Sequence, residues 1–413
     1  MWYDNHICYY SIIFPWNSQV LFGKFFQKGG LILEITGIIC EYNPFHLGHR
    51  KQFDMIRDRK GDTEGIVCLM SGDFVQRGHP AMIDKSLRAK AAILAGADLV
   101  LELPVTAALS SAEGFAARGV EILSPFCDSL CFGAESDEPD ALLDISRALL
   151  SDKFPPLLRA QLDKGLSFPA ARQAALEEIG LDGNLVTQPN NILAIEYCKA
   201  ILSQNSPMTP FPILRQGSYH DTAPDTDNPS ATAVRELLKN GGNWADYIPA
   251  EVRPVFQNAV LHTISAGERA ILARLRTMED TEFEALPYGS EGLWRKLMHA
   301  ARREAALEEV LTAVKSKRYT RSRLDRMVMC AFLGLTEADL AASAPYVRVL
   351  ALNDRGREIL KKARQTGHFP NIGEKINHPY QAIETRCGRL YGLFANDTPD
   401  APDHNETARI VYI

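Results

Sequence analysis

Short apolar runs alternating with helical stretches constrain this chain more than any other feature of its sequence. Residues 35–40, 65–70, 98–103 and 128–133 are each long enough for one buried strand. Between them, 47–57, 84–95 and 110–123 carry helical spacing. This alternation predicts right-handed βαβ units and a parallel, Rossmann-like α/β sheet. In such sheets ligands sit beyond the C-terminal strand ends. His46, Ser71, Pro104 and Gly133 all follow strand ends, so their loops are expected to meet at one crevice.

The first of these loops is the most informative. Gly37-Ile-Ile-Cys-Glu-Tyr-Asn-Pro-Phe-His-Leu-Gly-His49 runs from strand through an Asn-Pro turn into a helix, with His46 and His49 at the junction. Gly48 permits close backbone approach, and a helix start offers free N–H groups and partial positive charge. Two imidazoles there can donate to phosphate oxygens, which makes a triphosphate site without a Walker lysine. A half-buried surface pair is the plainer reading. Zinc would need two further ligands, and only Cys40 and Glu41 are near. No metal site is therefore expected, beyond Mg2+ accompanying ATP.

Further along, 139–179 reads as two helices joined near Phe154-Pro-Pro156, and Gln188-Pro-Asn-Asn191 as the cap of a helix reaching about Leu202. Residues 211–220 look like a fifth strand with Arg215 at its exit, followed by an acidic loop from Asp221 to Asn228. Ser230 opens another helix, with Thr232 and Arg235 placed to hold phosphates. Capping and a solvent-facing arginine are the bland alternatives. A strand-end His pair, an arginine on a later strand and this helix start are the parts of an adenylate-forming or nucleotidyl-transferring site. His46 and His49 would stabilise charge at the α-phosphate, and Arg215 with Arg235 would grip the β- and γ-phosphates.

From about 250 the sequence turns helix-rich until a small strand and helix within 346–370. Residues 291–330 carry ten Lys or Arg against five acids, in a chain of net charge −6. Lys315, Lys317, Arg318, Tyr319, Arg321, Arg323 and Arg326 form the densest part. A solvated helical face competes with an RNA phosphate contact here. The expected division is therefore an N-terminal extension (1–34), a nucleotide-binding α/β domain (35–248) and a helical, basic domain (249–413).

Eight scattered cysteines without Cys-x-x-Cys suit a reduced, cytoplasmic protein. No stretch is long enough to span a membrane, and the apolar 7–16 segment lacks the pattern of a secretory signal. Residues 1–34 precede a fold that looks complete without them, as a loosely attached or spurious extension would.

Taken together, Cys40-Glu-Tyr-Asn-Pro-Phe-His-Leu-Gly-His49, Met70-Ser-Gly-Asp-Phe-Val-Gln-Arg-Gly78, Asp98-Leu-Val-Leu-Glu-Leu-Pro104, Cys131-Phe-Gly133, Pro189-Asn-Asn-Ile-Leu193, Ser230-Ala-Thr-Ala-Val-Arg235 and Lys317-Arg-Tyr-Thr-Arg321 resemble the bacterial tRNA(Met) cytidine acetate ligases. These belong to the HIGH-type nucleotidyltransferases. The resemblance spans about 35–370. It implies that ATP activates acetate as acetyl-adenylate, and that the acetyl group passes to the wobble cytidine of elongator tRNA(Met) as N4-acetylcytidine. It also implies ATP contacts through Ile39, Cys40, Glu41, Tyr42, Asn43, Pro44, Phe45, His46, Leu47, Gly48, His49, Arg50, Lys51 and Gln52. Further contacts are implied at Gly133, at one of Asn190 and Asn191, and at Arg215 with Gln216. Residues 1–34 have no counterpart in the family, and Leu47 stands where a polar residue is common. Acetate is expected beside Ser71-Gly72 and the 41–45 turn, although those two residues could simply turn the chain. No protein partner is inferred. A nucleotidyltransferase for a small phosphorylated metabolite is the rival enzyme, and a non-catalytic RNA-binding protein the second rival.

Overall fold

Ile35–Cys40 (β1) forms a strand because its β-branched run is apolar on both faces, as burial from both sides of a sheet requires. It pairs in parallel with Gly65–Ser71 (β2), from Ile35 opposite Gly65 to Cys40 opposite Met70. The structure is a computed structural model that describes residues 33–215, 229–316, 318–397 and 404–413. Residues 1–32, Gln216, the 221–228 loop and Lys317 lie outside the described residues. From Glu34 onward the chain is one compact unit.

After β2 come a two-residue hairpin, Phe74–Val75 (β3) with His79–Pro80 (β4), and then Leu99–Leu103 (β5), Ser129–Ala134 (β6) and Thr209–Leu214 (β7). Val349–Leu352 (β8) and Val411–Tyr412 (β9) complete the main sheet, in the order β7-β6-β1-β2-β5-β8-β9. Pairings from β7 to β5 are all parallel, while β8 runs antiparallel to β5. The strand and helix expected within 346–370 are thus β8 and Asp354–Ala363. Because β8 and β9 lie in the same sheet as β1, the 248/249 division is not a boundary of the sheet. The strand order reverses at β1: β2 and β5 lie to one side, β6 and β7 to the other. A crevice opens there, beyond the C-terminal ends of β1 and β6.

The helix expected over 110–123 is Ala112–Leu123, capped by the Ser111 hydroxyl, which accepts the Gly114 N–H; a short turn of helix, Val105–Ala108, precedes it. Three local expectations are corrected. The stretch 139–179 holds three helices, Pro139–Leu150, Phe154–Asp163 and Phe168–Glu178. Each has proline in its first turn, where no N–H is needed. The fifth strand, β7, ends at Leu214 and tolerates Pro210 and Pro212 because it is an edge. Gln188 is the N-cap of Pro189–Ser203, so Asn190 and Asn191 lie inside the helix and cap nothing.

The helices of 264–333 share one core with Phe74 and Leu109, which follow the C-terminal ends of β2 and β5. The helical layer therefore rests on the same sheet edge as the crevice. Gly78 fixes this junction: its φ is +80°, and a Cβ there would lie 2.4 Å from the Arg326 nitrogen. No helix among the described residues is long and apolar enough to cross a membrane.

Candidate active site

Helix Leu47–Lys60 (α1) begins with an unusual capping box. His46 is the N-cap, and its Nδ1 accepts the Gly48 N–H at 3.1 Å. His49, three residues on, accepts the His46 N–H on its own Nδ1 at 3.2 Å. The motif normally uses serine or threonine with glutamate. With both Nδ1 atoms accepting, each neutral ring carries its proton on Nε2. The rings stack with centroids 3.7 Å apart. Tyr42 packs edge-on against His49 at 4.8 Å, and Phe45 adds a second wall. Gly48 leaves room for the rings: a Cβ there would sit 3.0 Å from His46 Cε1.

Electrostatics keep the pair neutral. Burial, then Arg215 and Arg235, hold His46 down at about 3. Burial, His46 and Arg215 hold His49 well below the ordinary imidazole range. Both rings are therefore hydrogen-bond donors through Nε2 at neutral pH, not cations. The positive charge beside them comes from the two guanidinium groups and the helix N-terminus.

The 41–45 turn is tied from every side. Tyr42 has φ +44°, and the Asn43–Pro44 peptide is cis. Asn43 Oδ1 accepts the Met82 N–H at 2.7 Å, and the Asn43 carbonyl accepts from Arg235 at 2.8 Å. Arg235 also donates to the Thr232 hydroxyl at 3.0 Å. Ser230 caps Ala231–Lys239 by accepting the Ala233 N–H at 3.1 Å. The Pro229 carbonyl lies 3.7 Å from where a Gly48 Cβ would be, so this helix start faces the histidines.

Opposite them, at the ends of β6 and β7, Arg215 donates to Asn190 Oδ1 at 3.1 Å. Gly133 lies beside Arg215, whose Cδ is 3.9 Å from a Gly133 Cβ position. Asn190 and Asn191 are held by Glu135, a residue that no sequence motif picks out. The Glu135 carboxylate accepts the backbone N–H groups of Asn190 and Asn191 at 3.1 and 2.7 Å, occupying that helix N-terminus. Asn191 Oδ1 in return accepts the Glu135 N–H at 2.9 Å. Asn191 is fully buried in this loop lock, which leaves Asn190 as the asparagine facing the crevice with Arg215.

The other residues of the first loop also make contacts within the protein. Ile39 packs on the Gly119 position, and the Cys40 thiol points at the Leu69 carbonyl. Gln52 donates to Cys131 at 3.4 Å. Arg50 pairs with Asp54 and Glu251. Leu47 is half-buried and Lys51 exposed in the first helical turns.

Arg88 is the second residue that composition and spacing did not single out. It is 0 % exposed and, among the described residues, has no carboxylate partner in its hydrogen bonds. Instead it donates to the carbonyls of Ile83, Glu41, Ser71 and Gly72, so it ties the loop after β1 to the loop after β2. A cationic residue inside the apolar repeat of Lys85–Leu94 was the available signal. Ser71 is buried, and among the described residues its hydroxyl has no hydrogen-bond partner. Gly72 abuts Glu102, which with Asp73 flanks the buried Lys85 ammonium. Burial alone would lower Lys85, yet Asp73 and Glu102 hold it above its ordinary range.

The dense basic stretch does not form the free patch the sequence suggests. Arg318 pairs with Glu291, and Arg321 with Glu308 and Asp325. Arg323 donates to the Tyr288 carbonyl, and buried Arg326 to the Gln76 carbonyl. Lys315 reaches the carbonyls of Ser316 and Tyr319. Tyr319 is buried and donates to Glu291, so its ring offers no face to a base.

A family model described as HIGH Nucleotidyl Transferase matches residues 33–406. A Clostridium novyi protein named tRNA(Met) cytidine acetate ligase is 37% identical over 358 residues, covering 82% of this chain and 89% of that protein. One of the same name from Alkaliphilus metalliredigens is 38% identical over 376 residues, covering 84% and 88%. The crystal structure of apo Thermotoga maritima TmcAL superimposes with TM-score 0.82 at 27% identity, over 92% of this chain and all of that one. The same protein bound with alpha-thio ATP gives TM-score 0.80 over the same share.

Proposed function

The chain belongs to the HIGH nucleotidyl transferases and, within them, to the tRNA(Met) cytidine acetate ligase family, and we propose that it performs that ligation. In the first step an acetate oxygen attacks the α-phosphorus of ATP. The bond to the bridging oxygen breaks, giving acetyl-adenylate and pyrophosphate. In the second, the N4 amine of the wobble cytidine in elongator tRNA(Met) attacks the acetyl carbon. AMP leaves, the amine loses a proton and N4-acetylcytidine forms.

One observation carries this reading: two stacked, neutral imidazoles donate through Nε2 at a helix start, between Arg215 and Arg235, where the strand order reverses. The rings would hydrogen-bond the α-phosphate oxygens as charge builds there, and the arginines would neutralise the departing pyrophosphate. Asn190 supports Arg215 and lies within reach of the nucleotide. Acetate is assigned beside Ser71 and the 41–45 turn, where Arg88 joins the two loops and the Ser71 hydroxyl has a bond to give. Among the described residues no cluster of three or more acidic, histidine or cysteine side chains could hold a metal. Mg2+ would accompany the triphosphate, and no step above is routed through it.

The helical layer resting on the same sheet edge is assigned to the tRNA, in a cytoplasmic enzyme. A transferase for a small phosphorylated metabolite would explain the crevice but leave that layer without a role. Labelled pyrophosphate exchange into ATP should require acetate, and digestion of tRNA after incubation should release N4-acetylcytidine. Exchange that ignores acetate, or unmodified tRNA, would reject the proposal.

A further inference from the structure

Building on the ligase reading, we infer that the tRNA backbone is gripped by the outer face of Leu293–Arg303, through Arg295, Lys296 and Arg303, and not by the cation-dense stretch after it. At 3.6 residues per turn, Arg295, Lys296, His299, Arg302 and Arg303 share about 120° of arc. Leu293, Leu297, Met298, Ala300 and Ala301 are buried on the other side. The helix itself contains no acid.

The charges on this face remain available to a partner. Among the described residues neither Arg295 nor Lys296 has an ion-pair partner. The Arg295 guanidinium lies over the Trp294 ring at 4.9 Å, which orients it while leaving its edge N–H groups to donate. Arg303 is 86% exposed, and among the described residues its one carboxylate neighbour is Glu304 at 3.7 Å. Arg302 differs: it is tied to Asp280 and to the Met278 carbonyl, which makes it part of the scaffold.

The stretch that follows is the opposite case. Binding RNA through Arg318 or Arg321 would mean breaking the pairs with Glu291, Glu308 and Asp325. Although such exposed pairs are individually weak, their carboxylates also set negative charge beside any phosphate there and reduce its gain. Placement suits Leu293–Arg303 as well as it does Arg321–Leu333, which packs on Gly78 at the same edge. The former follows Tyr288, whose hydroxyl donates at 2.6 Å to the Leu109 carbonyl beyond β5. The cationic face therefore starts at the sheet edge that carries the nucleotide crevice. A phosphodiester backbone is the partner this chemistry fits: closely spaced point and fork cations, with no exposed apolar row to enter a membrane. In a chain of net charge −6, such a face also orients the RNA by repulsion elsewhere.

The test is a full-length variant carrying Arg295→Ala, Lys296→Ala and Arg303→Ala, titrated with transcribed elongator tRNA(Met) over a range of salt. Its Kd should weaken by at least about tenfold, and the slope of log affinity against log salt should fall by about 2 to 3, one unit for each phosphate no longer neutralised. Acetate-dependent pyrophosphate exchange and the thermal midpoint should stay at parental values. The charge-conserving variant Arg295→Lys with Lys296→Arg should restore most of the binding, and Arg318→Ala should leave it within about threefold on the same phosphate logic. Unchanged affinity and slope in the triple variant would overturn the assignment. If the parent itself neither exchanges with acetate nor modifies tRNA, the ligase reading fails instead, and the salt slopes still decide whether this face binds RNA.

Discussion

His46 caps α1 through Nδ1 and is assigned to the phosphate through Nε2, so a substitution can remove one duty and keep the other. Asparagine is a strong N-cap without a ring donor. His46→Asn should hold the thermal midpoint near the parent's while exchange falls about 100- to 1,000-fold, the usual effect of deleting a donor to developing charge. Equal loss of both in a calorimeter and an exchange assay would mean that capping is all the ring does. The same substitution exposes a pH effect. The folded His46 titrates at about 3, well below its unfolded value near 6.5. Between those values the unfolded chain binds the extra proton, so stability falls as pH drops from 6.5 toward 3. Urea midpoints at pH 7 and pH 4.5 should therefore differ more in the parent than in His46→Asn. Much of this was readable in advance, because His46, Gly48 and His49 stand together at a strand-to-helix turn. Glu135 and Arg88 were not, since their partners are backbone groups brought near only by folding.

Elements were legible wherever one short apolar run or one helical period occupied a segment, as in β1, β2 and α1. They were misjudged where a proline restarted a helix inside a continuing pattern, as at Phe168-Pro169, because a first-turn proline starts a new helix in a repeat that otherwise runs on. Around Arg321 residue counts show the cations but not the pairing: Glu308 reaches it from the preceding helix and Asp325 from four residues on in its own. Arg321→Ala would strip the nearly buried Asp325 of its cation. We expect a stability loss of about 1 to 3 kcal/mol in denaturant melts, with tRNA affinity little altered. Gly78→Ala makes the complementary point. With φ at +80° and the backbone of Arg321–Leu333 against it, any side chain must push the helical layer from the sheet. The penalty should exceed about 1 kcal/mol, and weaker tRNA modification should accompany it while acetate-dependent exchange is largely retained.

For the whole molecule, the parallel half of the sheet was foreseeable and its completion was not. β8 and β9 are short, distant in sequence and preceded by helices, so nothing local marks them as neighbours of β5. The consequence for dissection is concrete. A fragment ending at 248 would leave β5 as an apolar edge without its partner, and such edges pair with whatever is available. That fragment should aggregate or melt well below the parent by circular dichroism; a soluble, cooperative fragment would show the outer strands to be dispensable. The same arrangement also sets an order of events during synthesis. A polypeptide leaving the ribosome exposes the flank of β5 until the last segments emerge, so the nascent enzyme must be shielded, by a holding chaperone or by its own helices, before it is released.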